Sequence, residues 1–202
     1  MHEVLPRRSG KLIAIEGIDQ SGKMTQTQLL AGRLHRLGHP TSIWNFPDYR
    51  TLLGRQLKRY LTGSNSLDFH VVHMLYAANR WEMAKEITRQ LKQNRKVLVN
   101  RYSYSNFAYG TAHGLQLNWL VQLEEGLPKA DLVLVLDVVP KTSFERKRRR
   151  RDVHEGNLAY LAKVRNAYLR LARNFGWEVI DGERAPGAIH SELWRVVSRF
   201  IR

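Results

Sequence analysis

The chain has 202 residues, with 33 Lys and Arg against 18 Asp and Glu, for a formal net charge of +15. Its apolar fraction of 43% is too high for a disordered basic tail, and its length predicts one domain over residues 1–202 with a sizeable core. It contains no cysteine, which excludes disulfides, thiolate metal sites and a cysteine nucleophile and fits a cytoplasmic protein. Residues 1–11 lack the apolar run of a signal peptide, and the longest apolar stretch, 132–139, is far too short to span a bilayer. A soluble protein without a membrane partner is expected. A positive excess of this size reads as binding to nucleic acid, to an anionic membrane surface or to small polyanions such as nucleotides. From charge alone nucleic acid comes first.

In chain order, residues 11–16 (KLIAIE) read as a buried strand ending at Gly17. Residues 24–37 carry Leu29, Leu30, Leu34 and Leu37 at helical spacing, and Gly38 stops that helix. A second strand is predicted over 41–46, closed by Pro47, and helices over 52–61 and 69–91. Strands follow at 96–100, 131–137 and 177–180, and a last helix at 186–200. Asp152 and Glu155 have capping-box spacing and predict a helix over 155–175. Strands separated by helices imply βαβ units and a five-stranded parallel sheet. The apolar runs do not alternate, so helices should cover both sheet faces. The one anomaly is 146–151 (RKRRRR), six consecutive basic residues, and the charge excess survives its removal.

The first strand runs into Gly17-Ile18-Asp19-Gln20-Ser21-Gly22-Lys23, followed by Met24, Thr25 and a helix. This is G-x-x-x-x-G-K in a strand–loop–helix setting. Glycines permit backbone angles at which successive N–H groups turn inward around a phosphate, and the helix adds its positive N-terminal end. Lys23 is placed to reach the β- and γ-phosphates as a point charge. The motif usually ends in Ser or Thr, whose hydroxyl ligates Mg²⁺. Met24 offers a thioether instead, a poor ligand for a hard cation.

Further landmarks follow in order: Phe46-Pro-Asp-Tyr-Arg-Thr51, Leu75-Tyr-Ala-Ala-Asn-Arg-Trp81, Asn100-Arg-Tyr102, Gly126-Leu-Pro-Lys-Ala-Asp-Leu132, and the Arg-rich run closing at Asp152-Val-His-Glu155. Together with the glycine loop, these make the chain resemble the thymidylate kinases, P-loop nucleoside-monophosphate kinases, over nearly its whole length. The resemblance implies the P-loop NTPase-type three-layer α/β fold, ATP with Mg²⁺ as donor, dTMP as acceptor and a homodimer. It also implies an Arg-rich lid over about 141–156. A nucleic-acid partner becomes a minor alternative.

Residue by residue, the resemblance implies a donor loop formed by Gly17, Ile18, Asp19, Gln20, Ser21, Gly22, Lys23, Met24 and Thr25. It matches Arg80 and Arg101 to the arginines on the acceptor phosphate, with Arg50 a further candidate beside Tyr49. Tyr76 matches the ring that stacks on thymine, Phe46 lines sugar and base, and Ser105 and Asn106 lie beside the base. Tyr109 matches the ring that crowds a ribose 2′-hydroxyl, and Asp19 the carboxylate on the acceptor's 3′-hydroxyl. Because Gln20 occupies the loop position where some relatives carry arginine, the lid is expected to supply charge to the transferring phosphate through Arg149 and Arg150, alongside Lys23 and Arg101 as catalytic residues. By spacing alone, Arg80 reads at least as well as a solvated helix arginine, and Tyr76 as a core residue.

Two departures from the family pattern touch the metal. Asn100 stands where the family has an aspartate, and Met24 replaces the hydroxyl ligand, leaving Glu16 and Asp19 as the nearby carboxylates. Two other readings stand beside the dTMP kinase. One is a kinase of another pyrimidine deoxynucleoside monophosphate. The other is a nucleotide- or nucleic-acid-binding module with a degenerate P-loop.

Overall fold

The computed structural model describes residues 10–146 and 157–201. Five parallel strands form one sheet: β1 (Lys11–Glu16), β2 (Thr41–Asn45), β3 (Lys96–Asn100), β4 (Leu132–Asp137) and β5 (Glu178–Asp181), in the order β2-β3-β1-β4-β5. The helices are α1 (Lys23–Arg36), α2 (Leu52–Leu61), α3 (Phe69–Lys92), α4 (Ser103–Ala112), α5 (Leu117–Leu123), α6 (Pro140–Arg146), α7 (Leu158–Phe175) and α8 (Pro186–Phe200).

Alternate residues of each central strand feed opposite cores, as the pleat requires. Ile13 and Ile15 of β1, with Leu98 and Leu134, pack under Leu30 and Leu34 of α1 and Leu193 and Val197 of α8. Leu12 and Ala14, with Val97, Val99 and Val133, pack against Ile87 of α3, Ala108 of α4 and Val164 and Leu171 of α7. Both sheet faces are therefore covered, which explains why the strands read as unbroken apolar runs.

The expected boundaries shift at a few ends. The last strand runs one residue later than 177–180. Helix α7 starts at Leu158, where the Asn157 side chain accepts a hydrogen bond from the Tyr160 N–H and so caps it. Asp152 and Glu155, expected to start that helix, lie outside the described residues, as do Arg149 and Arg150.

Helix α2 sits on the turn that leaves β2. Thr51 caps it by accepting from the Gly54 N–H, and a Cβ on Gly54 would stand 1.8 Å from the Asp48 carbonyl oxygen. That neighbour is backbone and cannot swing aside. Gly54→Ala should therefore cost about 3 kcal/mol through enforced overpacking. Urea unfolding would show it, and an unchanged midpoint would contradict this account of the turn.

Candidate active site

The glycine loop leaves the carboxyl end of β1, the central strand, where ligands of open parallel sheets bind. Gly17 (φ 135), Gln20 (φ 55) and Gly22 (φ 92) have positive φ, which curls the loop back on itself. At Gly17 a Cβ would lie 2.5 Å from the Leu136 carbonyl oxygen, so β4 passes too close for any side chain. The buried Lys23 ammonium lies over the loop and donates to the Ile18 carbonyl at 2.6 Å. Helix α6 is fastened to the same loop. Ser143 Oγ donates to the Asp19 carbonyl at 2.6 Å, and Arg146 spans from the Gln20 carbonyl (3.2 Å) to the Gly182 carbonyl (2.9 Å).

Beside the loop lies a cavity lined by Asp19, Phe46, Pro47, Tyr49, Leu61, His73, Tyr76, Arg80, Arg101, Ser105, Asn106 and Tyr109. Every residue that the resemblance assigned to the acceptor lines it except Arg50. The Arg50 side chain is 84% exposed and pairs with Asp48 at 2.7 Å, while Tyr49 turns into the cavity instead. Arg50 is thus the one expected acceptor residue that does not line the cavity.

At the loop end, the Arg101 guanidinium bonds the Asp19 carboxylate, and the Tyr109 hydroxyl donates to the other Asp19 oxygen at 2.7 Å. Burial alone would raise the Asp19 pKa, but the Arg101 guanidinium and the Lys23 ammonium hold it far below the usual carboxylate range. Arg101 takes φ 61, and its N–H donates to the Ile15 carbonyl at 3.1 Å, so it follows directly from the β3 ladder in a strained turn.

At the far end, Arg80 is buried rather than solvated. Its Nε donates to Glu124 Oε2 at 2.8 Å and its Nη2 bonds Oε1. Asn106 Nδ2 donates to the same Glu124 at 2.7 Å, and His73 Nδ1 donates to Asn106 Oδ1 at 2.5 Å. The two arginines expected on the acceptor phosphate line the same cavity but pair with different carboxylates. Arg101 belongs to the glycine loop, and Arg80 belongs to the cluster around Tyr76 and Asn106. Glu124 occupies Nε and Nη2 of Arg80, which leaves Nη1 for the cavity.

Glu16 has no solvent exposure. It accepts from the Tyr102 N–H (2.7 Å), Ser105 Oγ (2.6 Å) and Tyr168 Oη (2.9 Å), so it braces β1 against α4 and α7. Burial raises its pKa, and these donors pull it back. The metal role expected of Glu16 and Asp19 is an indirect one, with the ion held mainly by substrate phosphates and waters, and both carboxylates are committed to protein donors. Among the described residues no group of three or more His, Asp or Glu is gathered to hold an ion. Among the described residues, the buried side-chain oxygens without a partner at this end of the sheet are Asn100 Oδ1 and Gln26 Oε1, both neutral. These residues fit a cation that arrives bound to a nucleotide, and not a resident one.

Sequence reasoning missed His73, Tyr49 and Glu124. His73 stands three residues before Tyr76 and seven before Arg80, a spacing that puts all three on one helix face. No local pattern marks Glu124.

A glycine loop and lysine at the end of a central parallel strand, facing a cavity lined by two arginines and an aromatic ring, define a P-loop nucleotide kinase. The thymidylate kinase family model matches residues 15–193. The chain is 38% identical to the thymidylate kinase of Arabidopsis thaliana over 96% of this chain and 72% of that protein. It is 33% identical to the thymidylate kinase of Homo sapiens over 95% of this chain and 91% of that one. The solved structure of thymidylate kinase from Candida albicans superimposes with a TM-score of 0.86 at 29% identity, covering 96% of this chain and 94% of that one. The chain belongs to the thymidylate kinase family.

Proposed function

We propose that this chain, acting as a single domain, transfers the γ-phosphoryl group of ATP to dTMP, giving ADP and dTDP. The observation that carries this reading is the Asp19–Arg101 pair, which joins the donor loop to the wall of a second cavity suited to a small aromatic monophosphate. Two nucleotide sites that share a wall are what direct transfer between them requires. A nucleic-acid module would have no use for the second.

The donor triphosphate lies in the loop from Gly17 to Thr25, with the loop N–H groups and Lys23 on its phosphates. The acceptor's base rests on Tyr76 between Phe46 and the 105–106 pair, and its phosphate meets Arg101. Asp19 is held ionised, so it can accept from the acceptor's 3′-hydroxyl. Tyr109, fixed against Asp19, fills the space a 2′-hydroxyl would need. Arg80 takes the base end. An acceptor phosphate oxygen is already ionised near neutral pH, so the protein positions and neutralises charge without a general base. The loop N–H groups and Lys23 would hold the donor together with its Mg²⁺, which would supply further neutralisation of the phosphate charge. Arg149 and Arg150 complete the charge on the transferring group. The protein works as a cytoplasmic homodimer.

An assay of ADP release with each nucleoside monophosphate tests the reading. Turnover should be highest with dTMP and lower with dUMP, and UMP should be poor. No turnover with any acceptor, together with salt-sensitive DNA binding, would overturn it. The same assay addresses the two departures at the metal. Met24→Ser and Asn100→Asp should each lower the Mg²⁺ concentration giving half-maximal rate, and the double variant should lower it further. Flat Mg²⁺ dependence in all three would remove both positions from the metal's surroundings.

A further inference from the structure

We infer that Glu124 is a positioning residue that determines which pyrimidine the acceptor site accepts. This rests on the acceptor reading above and deepens it. A carboxylate can only accept hydrogen bonds, so the nitrogen side of the Asn106 amide must face Glu124. The His73 ring then donates to Asn106 Oδ1, and the His73 carbonyl accepts the second Nδ2 hydrogen at 3.2 Å. The amide cannot turn over without setting donor against donor. Its remaining capacity is one lone pair on Oδ1.

The same carboxylate takes Nε and Nη2 of Arg80 and leaves Nη1 uncommitted. Both residues line the acceptor cavity, and Glu124 stands behind them and does not. One buried acid therefore orders two readers at once, an acceptor on Asn106 and a donor on Arg80. A base with an N3–H and an oxygen at C4, thymine or uracil, complements that pair. Cytosine, with a bare N3 and an amino group at C4, opposes it at both atoms. The sheet and the glycine loop do not depend on this cluster, so its effect falls on acceptor choice rather than on donor binding.

Glu124→Gln tests the inference, because it keeps the shape while removing the charge and supplying an amide that can face Asn106 with a donor. The KM for dTMP should rise about tenfold, with kcat within about threefold and the KM for ATP unchanged. The preference for dTMP over dCMP should fall about tenfold. Glu124→Asp, which keeps an acceptor-only group, should restore most of the preference. A folded Glu124→Gln enzyme with unaltered preference overturns the inference. If neither variant folds, Glu124 is a structural ion pair and the positioning role falls. Failure of the unsubstituted enzyme to use dTMP would sink the proposed function instead, so the two failures are distinct.

Discussion

Lys23→Ala is expected to lower kcat with ATP and dTMP about 10³-fold while leaving the fold intact. The ammonium is the glycine loop's own side-chain cation, and it is held over the loop by the Ile18 carbonyl and by Ser21 Oγ at 3.3 Å. In the reaction, charge migrates toward the bridging oxygen between the β- and γ-phosphates. A fixed positive charge close to that oxygen acts more strongly on the transition state than on the ground state, so the loss falls on kcat. Lys23→Arg should not rescue the enzyme, because the planar fork is wider than the space a compact ammonium occupies. Steady-state rates and a thermal melt separate the two quantities. A variant that keeps a tenth of the rate would place the main charge stabilisation elsewhere.

Arg101→Ala is expected to lower kcat/KM for dTMP by about 10³-fold, with little change in the KM for ATP. Arg101→Lys should recover only part of it, since the point charge returns without the bidentate fork. The substitution also strips Asp19 of its main counter-charge, with a signed effect on pH stability. Asp19 has a depressed pKa in the folded protein, so its pairing stabilises the fold above the unfolded carboxylate value. That contribution is lost as the pH falls through the folded value. The stability gap between wild type and variant should therefore be largest at neutral pH and narrow below about pH 4. Denaturant titrations across the acid range measure it, and a gap that widens on acidification would contradict the pairing.

The strands and the glycine loop were legible in the sequence because their causes are local. Unbroken apolar runs such as 132–136 require two covered faces, and the loop's spacing follows from phosphate geometry. The acceptor wall was legible mainly where resemblance named it, as at Tyr76, Asn106 and Tyr109. The second layer was not. Glu124 meets Arg80 across 44 residues, and Glu16 meets Tyr168 across 152. Contacts between elements so far apart leave no periodic trace. The direction of Arg50 was not legible for a related reason. Asp48, two residues earlier, captures its guanidinium, and the turn points Tyr49 inward, a choice of direction that the residue types alone do not set.

The parallel register of β1 and β3 sets Ile15 opposite Asn100, and the Arg101 N–H is bonded to the Ile15 carbonyl. The donor loop and the acceptor arginine consequently hang from adjacent rungs of one ladder, and Glu16 pins both to the same helices. Their separation is a property of the sheet, and neither nucleotide has to create the other's berth. On the proposed reading this predicts no compulsory order of addition, which initial rates with ATP and dTMP varied together would check.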